Sequence, residues 1–463
     1  MGFFQTLLHN LPEVSSPSQR RLSFKEKLKW TLIVLSLFFI LGLVPLFGLS
    51  QNSLQRFEFL SIILGARFGS IISLGIGPIV TASIVLQLLN GSGLVKFDLQ
   101  STDGKKKFQG TQKLLSILFI IFEACIYVFM GGLAPAAELA GSSLYLQLEL
   151  LMIFQLILGG ILIMFMDEVI SKWGFGSGIS LFIAANVSEQ IFIRAFSPFP
   201  SPTNPNIATG AIPALVQSLA AGDPKTATLM FAAVVATVLV FVLAVYVQSM
   251  KVEIPLSFGR VRGYGIRWPL NFIYTSNIPV ILVAALIANI QLWAHLLQRY
   301  GWPVLGTFVG NNPASGLVAW LSPRNIISET IIGSIQWIDI AHSLIYILFL
   351  MGGSVLFSWF WVQTAGMDAR SQAKQIMNSG LQIPGFRKDE RIMERMLERY
   401  IKPLTVMGAL SIGFLAAMAD LSGALSNGTG ILLTVMIIYK LYEDIAQQHM
   451  MDMHPALRRF MEG

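Results

Sequence analysis

Ten apolar runs, each close to the length that crosses a bilayer, set the limits on what this chain can fold into. They fall at about Trp30–Leu49, Ile71–Leu89, Leu114–Leu133, Tyr145–Met166, Ser177–Phe196, Thr226–Val247, Phe272–Trp293, Ile338–Trp361, Leu404–Leu421 and Gly430–Leu441. About 20 apolar residues in a helix match the hydrocarbon core. Only 12% of the residues are charged, against about a quarter in a soluble domain. The expectation is an all-α, polytopic membrane protein with ten transmembrane helices. Arg20, Arg21, Lys25, Lys27 and Lys29 precede a full-length first span, a pattern unlike a cleavable signal peptide.

Charge fixes the expected orientation. With the N-terminus inside, 26 of the 32 Lys and Arg fall in the inner segments. The outer segments hold Arg56, Arg67, Arg194, Lys225, Arg299 and Arg324. That asymmetry matches the positive-inside rule with both termini cytoplasmic. Two inner loops, Gln248–Asn271 and Gln363–Lys402, are long, basic and rich in turn residues. Within the second, Lys388–Tyr400 has the pattern of a charged amphipathic helix leading into the ninth span. The outer loop Phe196–Lys225, rich in Pro, Asn and Thr, is expected to be irregular. Phe3–Leu11 and Arg20–Leu28 have the composition of stretches lying along the inner interface.

One run is broken. From Leu60 to Leu89 the apolar sequence is interrupted by Arg67 and Gly69, then by Gly75, Gly77 and Pro78. Non-helical backbone at membrane depth is tolerated only where it is buried in protein or lines a cavity. The break therefore points to a pathway inside the bundle. Five spans plus five would allow two pseudo-symmetric halves, although no strong sequence repeat is visible.

Groups suited to catalysis are sparse. Glu123, Glu189, Asp339, His342 and Asp420 lie in or near spans, and no two form a carboxylate pair. Asp339 and His342, three apart, read as a surface pair at a span end. Gly174-Phe-Gly-Ser-Gly178 invites a serine-nucleophile reading, but close helix packing or a bend explains it better. The start Met1-Gly2-Phe-Phe-Gln-Thr6 matches an N-myristoylation pattern by chance. The lone Cys125 excludes an internal disulfide, and no cofactor is expected. Glu123, costly within a span, is either a polar contact at an interface that opens or a buried, paired acid. Thr81, Gln87 and Asn277 carry the same two readings, each favouring a helix cross-link. Arg260, Arg262 and Arg267 sit among glycines, and Arg387 and Lys388 follow a Pro-Gly turn. Exposed Arg on turns suits phosphate contacts, with ribosomal RNA or lipid headgroups as partners.

The order of several motifs resembles the SecY family, the central subunit of the protein-conducting translocon. Leu74-Gly-Ile-Gly-Pro-Ile-Val-Thr-Ala-Ser-Ile-Val-Leu-Gln-Leu-Leu89 is similar to that family's second span. Phe108-Gln-Gly-Thr-Gln-Lys113 resembles the approach to the third, and Gly176-Ser-Gly-Ile-Ser-Leu-Phe-Ile-Ala-Ala185 the fifth. Val252-Glu-Ile-Pro-Leu-Ser, Arg260-Val-Arg-Gly, Trp268-Pro-Leu and Tyr274-Thr-Ser-Asn-Ile-Pro-Val-Ile281 resemble loop 6/7 and the seventh span. Ile383-Pro-Gly-Phe-Arg387 and Asn427-Gly-Thr-Gly-Ile-Leu-Leu433 resemble loop 8/9 and the tenth. Loop 6/7 is closer in wording to archaeal and eukaryotic members than to bacterial ones. Before Phe108 the chain has Asp103-Gly-Lys-Lys-Lys107, where members often have Asp-Arg.

The resemblance implies two pseudo-symmetric five-helix halves around a central pore. It implies a pore ring of Ile76, Val80, Ile179, Ile183, Ile281 and Leu433, and a plug at about residues 58–70. It places a lateral gate at Thr81, Gln87, Glu123 and Asn277, between spans 2/3 and 7/8. Ribosome docking falls to Arg260, Arg262, Arg387 and Lys388. The implied partners are a SecE-like gamma subunit and a small beta subunit, the ribosome, nascent polypeptides with their signal sequences, and membrane lipids. The expected site is the plasma membrane. The expected divisions are residues 1–29, an inner amphipathic segment; 30–196, spans 1–5; 197–225, the external loop; 226–441, spans 6–10; and 442–463, an inner tail. The competing expectation is an ion-coupled small-molecule transporter with broken helices. With no GxxxxGK[ST] loop in the sequence, the driving force is expected from a ribosome or another motor.

Overall fold

The computed structural model describes residues 11–18, 22–50, 67–91, 94–95, 97, 101–129, 132–139, 141–201, 207–258, 265–299, 301–309, 312–378, 381–382 and 389–453. It is mostly helical. The long helices are α1 (Phe24–Gly42), α2 (Gly77–Gly91), α3 (Thr102–Phe129), α4 (Ser143–Trp173) and α5 (Gly178–Phe196). After a shorter helix α6 (Ala211–Ala221) come α7 (Pro224–Ser249) and α8 (Ile278–Arg299). Two short helices, α9 (Gly316–Trp320) and α10 (Ile326–Ile332), precede α11 (Trp337–Thr364), α12 (Ala369–Asn378), α13 (Glu390–Leu421) and α14 (Gly428–Met453).

Each predicted run finds a helix in order, but not all qualify as spans by length and composition. Among the described residues seven helices are long and apolar enough to cross a membrane. Helix α1, which carries the first run, opens with Lys25, Glu26, Lys27 and Lys29. The second is only 15 residues long, roughly 22 Å at 1.5 Å per residue. The tenth carries Lys440, Glu443 and Asp444. Local chemistry sets several starts. Ser23 and Glu26 form a reciprocal capping box on α1. Asp223 caps α7 and is followed by Pro224. Asp389 caps α13, which runs unbroken through the predicted amphipathic stretch into the ninth run. Its buried stripe of Met393, Leu397, Ile401 and Leu404 keeps helical spacing.

Two expectations need correction. Loop 6/7 is not simply turn-rich but a hairpin, β1 (Lys251–Phe258) antiparallel to β2 (Gly265–Asn271), with Lys251 opposite Asn271 and Ile254 opposite Trp268. Strand β5 (Leu381–Gln382), from loop 8/9, pairs with the end of β1, giving the order β2-β1-β5. Ile254 and Leu270 are buried among Val362, Ile376, Met393 and Leu397, so the sheet sits on α11, α12 and α13. The outer loop is likewise not irregular throughout. It holds α6, ended by Gly222 in a left-handed turn (φ +73°). A small antiparallel pair, β3 (Thr307–Val309) with β4 (Asn312–Ser315), follows α8.

Candidate functional site

Four helices begin inside the bundle, each preceded by non-helical backbone. Before α2, Gly75 stands at φ +58°, and before α8 Ser276 does the same. Among the described residues Ser276 is the only non-glycine with positive φ. Both helices then place proline second, Pro78 and Pro279, a position whose missing N–H has no intrahelical partner to lose. In both, the first turn closes alike, from Val80 N to the Ile76 carbonyl at 3.1 Å and from Ile281 N to the Asn277 carbonyl at 3.2 Å. Helices α5 and α14 start at Gly178 and Gly428.

The six expected ring residues lie in or near the first turns of these helices, where three apolar cores meet. Ile76 and Ile179 pack against a core containing Phe38, Ile72, Ile163 and Phe182. They also pack against the core of Val80, Leu282, Val283 and Leu350. Ile281 joins this second core to a third, which contains Leu433 and takes in Ile183. Val80 and Leu433 are buried, while the other four are half-buried. Leu432, next to Leu433, lies in the same core.

The seam between α2/α3 and α8 is polar at one point. Glu123 and Thr81 are both buried, with the Glu123 carboxyl in reach of the Thr81 hydroxyl. Asn289 Nδ2 donates to Thr81 Oγ1 at 3.0 Å. A turn further along α8, Trp293 meets Phe122 with ring centroids 5.7 Å apart. Asn289 is a residue the sequence reading passed over. Asn277, named in its place, stands before α8 with its Oδ1 accepting from Ser276 Oγ. Gln87 turns back on its own helix, donating to Ser83 Oγ at 3.1 Å.

Of the plug range, residues 58–66 lie outside the described residues. Arg67 is described. Its guanidinium lies 4.3 Å from the Phe38 ring centre and bonds Glu189 on α5 at 2.5 Å. Arg260, Arg262, Arg387 and Lys388 also lie outside the described residues, as does the start of the chain that carries the myristoylation match. The strands flanking both sets are the paired β1, β2 and β5. Asp339 and His342 are not the surface pair expected. Both are buried; Asp339 pairs with Arg324, and His342 stacks on Trp320 at 3.7 Å. Asp420 stands at the end of α13 against the start of α14.

Residues 11–18 form a strap across the middle of α3 and the end of α4. Val14 N donates to Glu168 Oε2 at 3.0 Å, Lys113 pairs with Glu168, and Trp173 Nε1 donates to the Ser15 carbonyl at 2.9 Å. Lys172 bonds Glu13 at 2.5 Å, and this bond holds the Glu13 carboxyl below its ordinary value.

Comparison with known proteins gives one pattern. A family profile described as SecY matches residues 70–442, and one described as the plug domain of Sec61p matches residues 37–69. The protein translocase subunit SecY of Methanothermobacter thermautotrophicus is 46% identical, over 99% of this chain and 98% of its own. That of Pyrococcus horikoshii is 44% identical, over 98% and 97%. A solved structure described as that of a protein conducting channel superposes with TM-score 0.81 at 42% identity, covering 97% of this chain and 98% of its own. Sec61 in the canine ribosome-channel complex from the endoplasmic reticulum gives 0.78 at 40%, with the same coverage. The competing expectation of a small-molecule transporter finds no support in these matches.

Proposed function

Since the chain belongs to the SecY family and is a protein-conducting channel subunit of the translocase, we propose that its six aliphatic side chains form the constriction and that Thr81, Glu123 and Asn289 form its lateral gate. The observation that carries this reading is the convergence of Ile76, Val80, Ile179, Ile183, Ile281 and Leu433 on one junction of three cores. An apolar constriction blocks ions by dewetting when narrow, and it offers no fixed polar partner to a sliding chain. A signal sequence gains about 25 cal/mol per Å² of apolar surface leaving water. Against that, an interhelical hydrogen bond in a membrane averages about 0.6 kcal/mol. A hydrophobic segment therefore outcompetes the Thr81–Asn289 bond once it reaches the seam.

Arg67, bound to Glu189 and stacked on Phe38, ties the end of the plug to α5 and α1. Gln87 and Asn277 are kept in the proposal as flanking polar groups rather than closing contacts. The strands next to Arg260, Arg262, Arg387 and Lys388 in the sequence, β1, β2 and β5, share one sheet, which supports a common footing for ribosomal RNA. The proposed complex includes gamma and beta subunits in the plasma membrane, with both termini cytoplasmic. Spans 1–5 and 6–10 are proposed as the two halves, joined by the external loop, with inner segments at residues 1–29 and 442–463. Two measurements test this. Ile183→Asn should raise ion leak through the idle channel in vesicles. Changing Arg260, Arg262 and Arg387 to Glu should abolish co-purification with ribosomes while the complex stays assembled; retained binding would remove the docking assignment.

A further inference from the structure

The starts of α5 and α14 share a device absent from the ring itself. At α5, Asp167 on the preceding helix accepts from Ile179 N at 2.9 Å, with Gly178 N and the Ser177 side chain close to the same carboxylate. At α14, Asp420 on the preceding helix accepts from Thr429 N at 2.8 Å, with Gly428 N close to the same carboxylate. It takes the Thr429 hydroxyl as well, and Tyr346 Oη at 2.7 Å. A carboxylate at a helix N-terminus satisfies orphan N–H groups and meets the positive end of the helix dipole. The fit is close in both places. A Cβ on Gly178 would lie 2.6 Å from Asp167 Cα, and one on Gly428 would lie 1.9 Å from the Ala419 carbonyl carbon.

Matching the two caps position by position equates Gly178 with Gly428, and therefore Ile183 with Leu433 and Ile179 with Thr429. Leu433, not Leu432, then takes the ring position. The same matching of α2 and α8, Gly75 with Ser276, equates Val80 with Ile281 and Ile76 with Asn277. The two ring-equivalent positions that are not aliphatic, Thr429 and Asn277, both have their polar ends engaged, on Asp420 and on Ser276.

We propose that Asp167 and Asp420 are matched positioning residues of the pore, each fixing the first turn of a ring helix so that Ile183 and Leu433 face one another, with Asp420 also holding the Thr429 hydroxyl away from the conduit. This rests on the ring reading given above. The experiment uses the full complex in vesicles, with cysteines at Ile183 paired with either Leu433 or Leu432. Two readouts are taken, disulfide cross-linking yield and ion leak of the idle channel. With both aspartates present, the 183–433 pair should cross-link in preference to 183–432. Asp420→Ala should lose that preference and raise the leak severalfold. The isosteric Asp420→Asn, which keeps an acceptor for Thr429 N, should retain the preference. Asp167→Ala repeats the test from the other side, where folding of the α13–α14 corner is untouched. Preference and leak unchanged in both alanine variants would overturn the proposal alone. Absence of either cross-link with both aspartates present would overturn the ring reading, and the proposal with it.

Discussion

The bond between Asn289 and Thr81 is a single neutral contact across the seam, worth about 0.6 and at most about 1.7 kcal/mol on membrane double-mutant scales. Asn289→Leu should therefore shift the open-to-closed ratio by roughly three- to twentyfold. In a series of reporters with graded signal hydrophobicity, the threshold for insertion should fall. Asn277→Leu should move it less, because Asn277 bonds its own neighbour; an equal shift would return Asn277 to the seam. Thr81 and Glu123 were legible as isolated polar residues in apolar runs. Asn289 carried the same signal, but Asn277, just before the same helix, lies in the stronger sequence motif. Which of two asparagines faces the neighbour depends on helix rotation, which is set by packing. The clue was the i, i+4, i+8 face of Ala285, Asn289 and Trp293, polar and aromatic where a lipid face would be aliphatic. Asp339 and His342 misled for a related reason. The partner of Asp339, Arg324, comes from a separate segment before the helix that periodicity does not connect to the span.

At the scale of elements, the broken helices were the most legible feature and the strands the least. Gly178→Ala and Gly428→Ala each force a methyl into backbone, so a loss of about 1–3 kcal/mol is expected, read by denaturation of the detergent-solubilised complex. Gly352→Ala serves as contrast. Nothing lies within 4 Å of a Cβ there, so it should be neutral or stabilising by up to about 1 kcal/mol. A cost at Gly352 matching the other two would show that the close approaches do not matter. The hairpin hid behind its prolines. Pro255 and Pro269 argued for turns, yet β5 pairs only with Ser257 and Phe258, leaving Pro255 at an unpaired edge where its missing N–H costs nothing. Lys251-Val-Glu-Ile254 did alternate outward and inward, a period-2 signal too short to outweigh the prolines. Helix α6 was masked by the Pro- and Asn-rich stretch before it.

At the scale of the whole molecule, the sequence supplied the order of the helices and their membrane character; the ties between distant segments came only with the fold. The strap is one such tie. Glu13 titrates below its ordinary value of 4.5 because of Lys172, so its contribution is present above that value and lost as pH falls through the lowered one. Acidification below about pH 4.5 should loosen residues 11–18 at the Glu13–Lys172 contact. Trp173, whose indole donates to the Ser15 carbonyl, should report the loosening by fluorescence, and Glu13→Gln should abolish the transition; an unchanged transition in that variant would assign it elsewhere. A second tie joins the first and last long helices. Lys27 Nζ donates to Gln448 Oε1 at 3.0 Å, Gln448 Nε2 donates to the Leu22 carbonyl at 3.1 Å, and Phe24 meets His449 at 5.5 Å. This contact lies on α1 and α14, not on the α2, α3 and α8 that form the seam. Residues 27 and 448 therefore stand apart from the proposed gate, and gate opening should leave their separation unchanged. Spectroscopic labels at 27 and 448 would then give a nearly constant distance against which the separation of labels at 81 and 289 is measured, a built-in ruler for the degree of opening in a working channel.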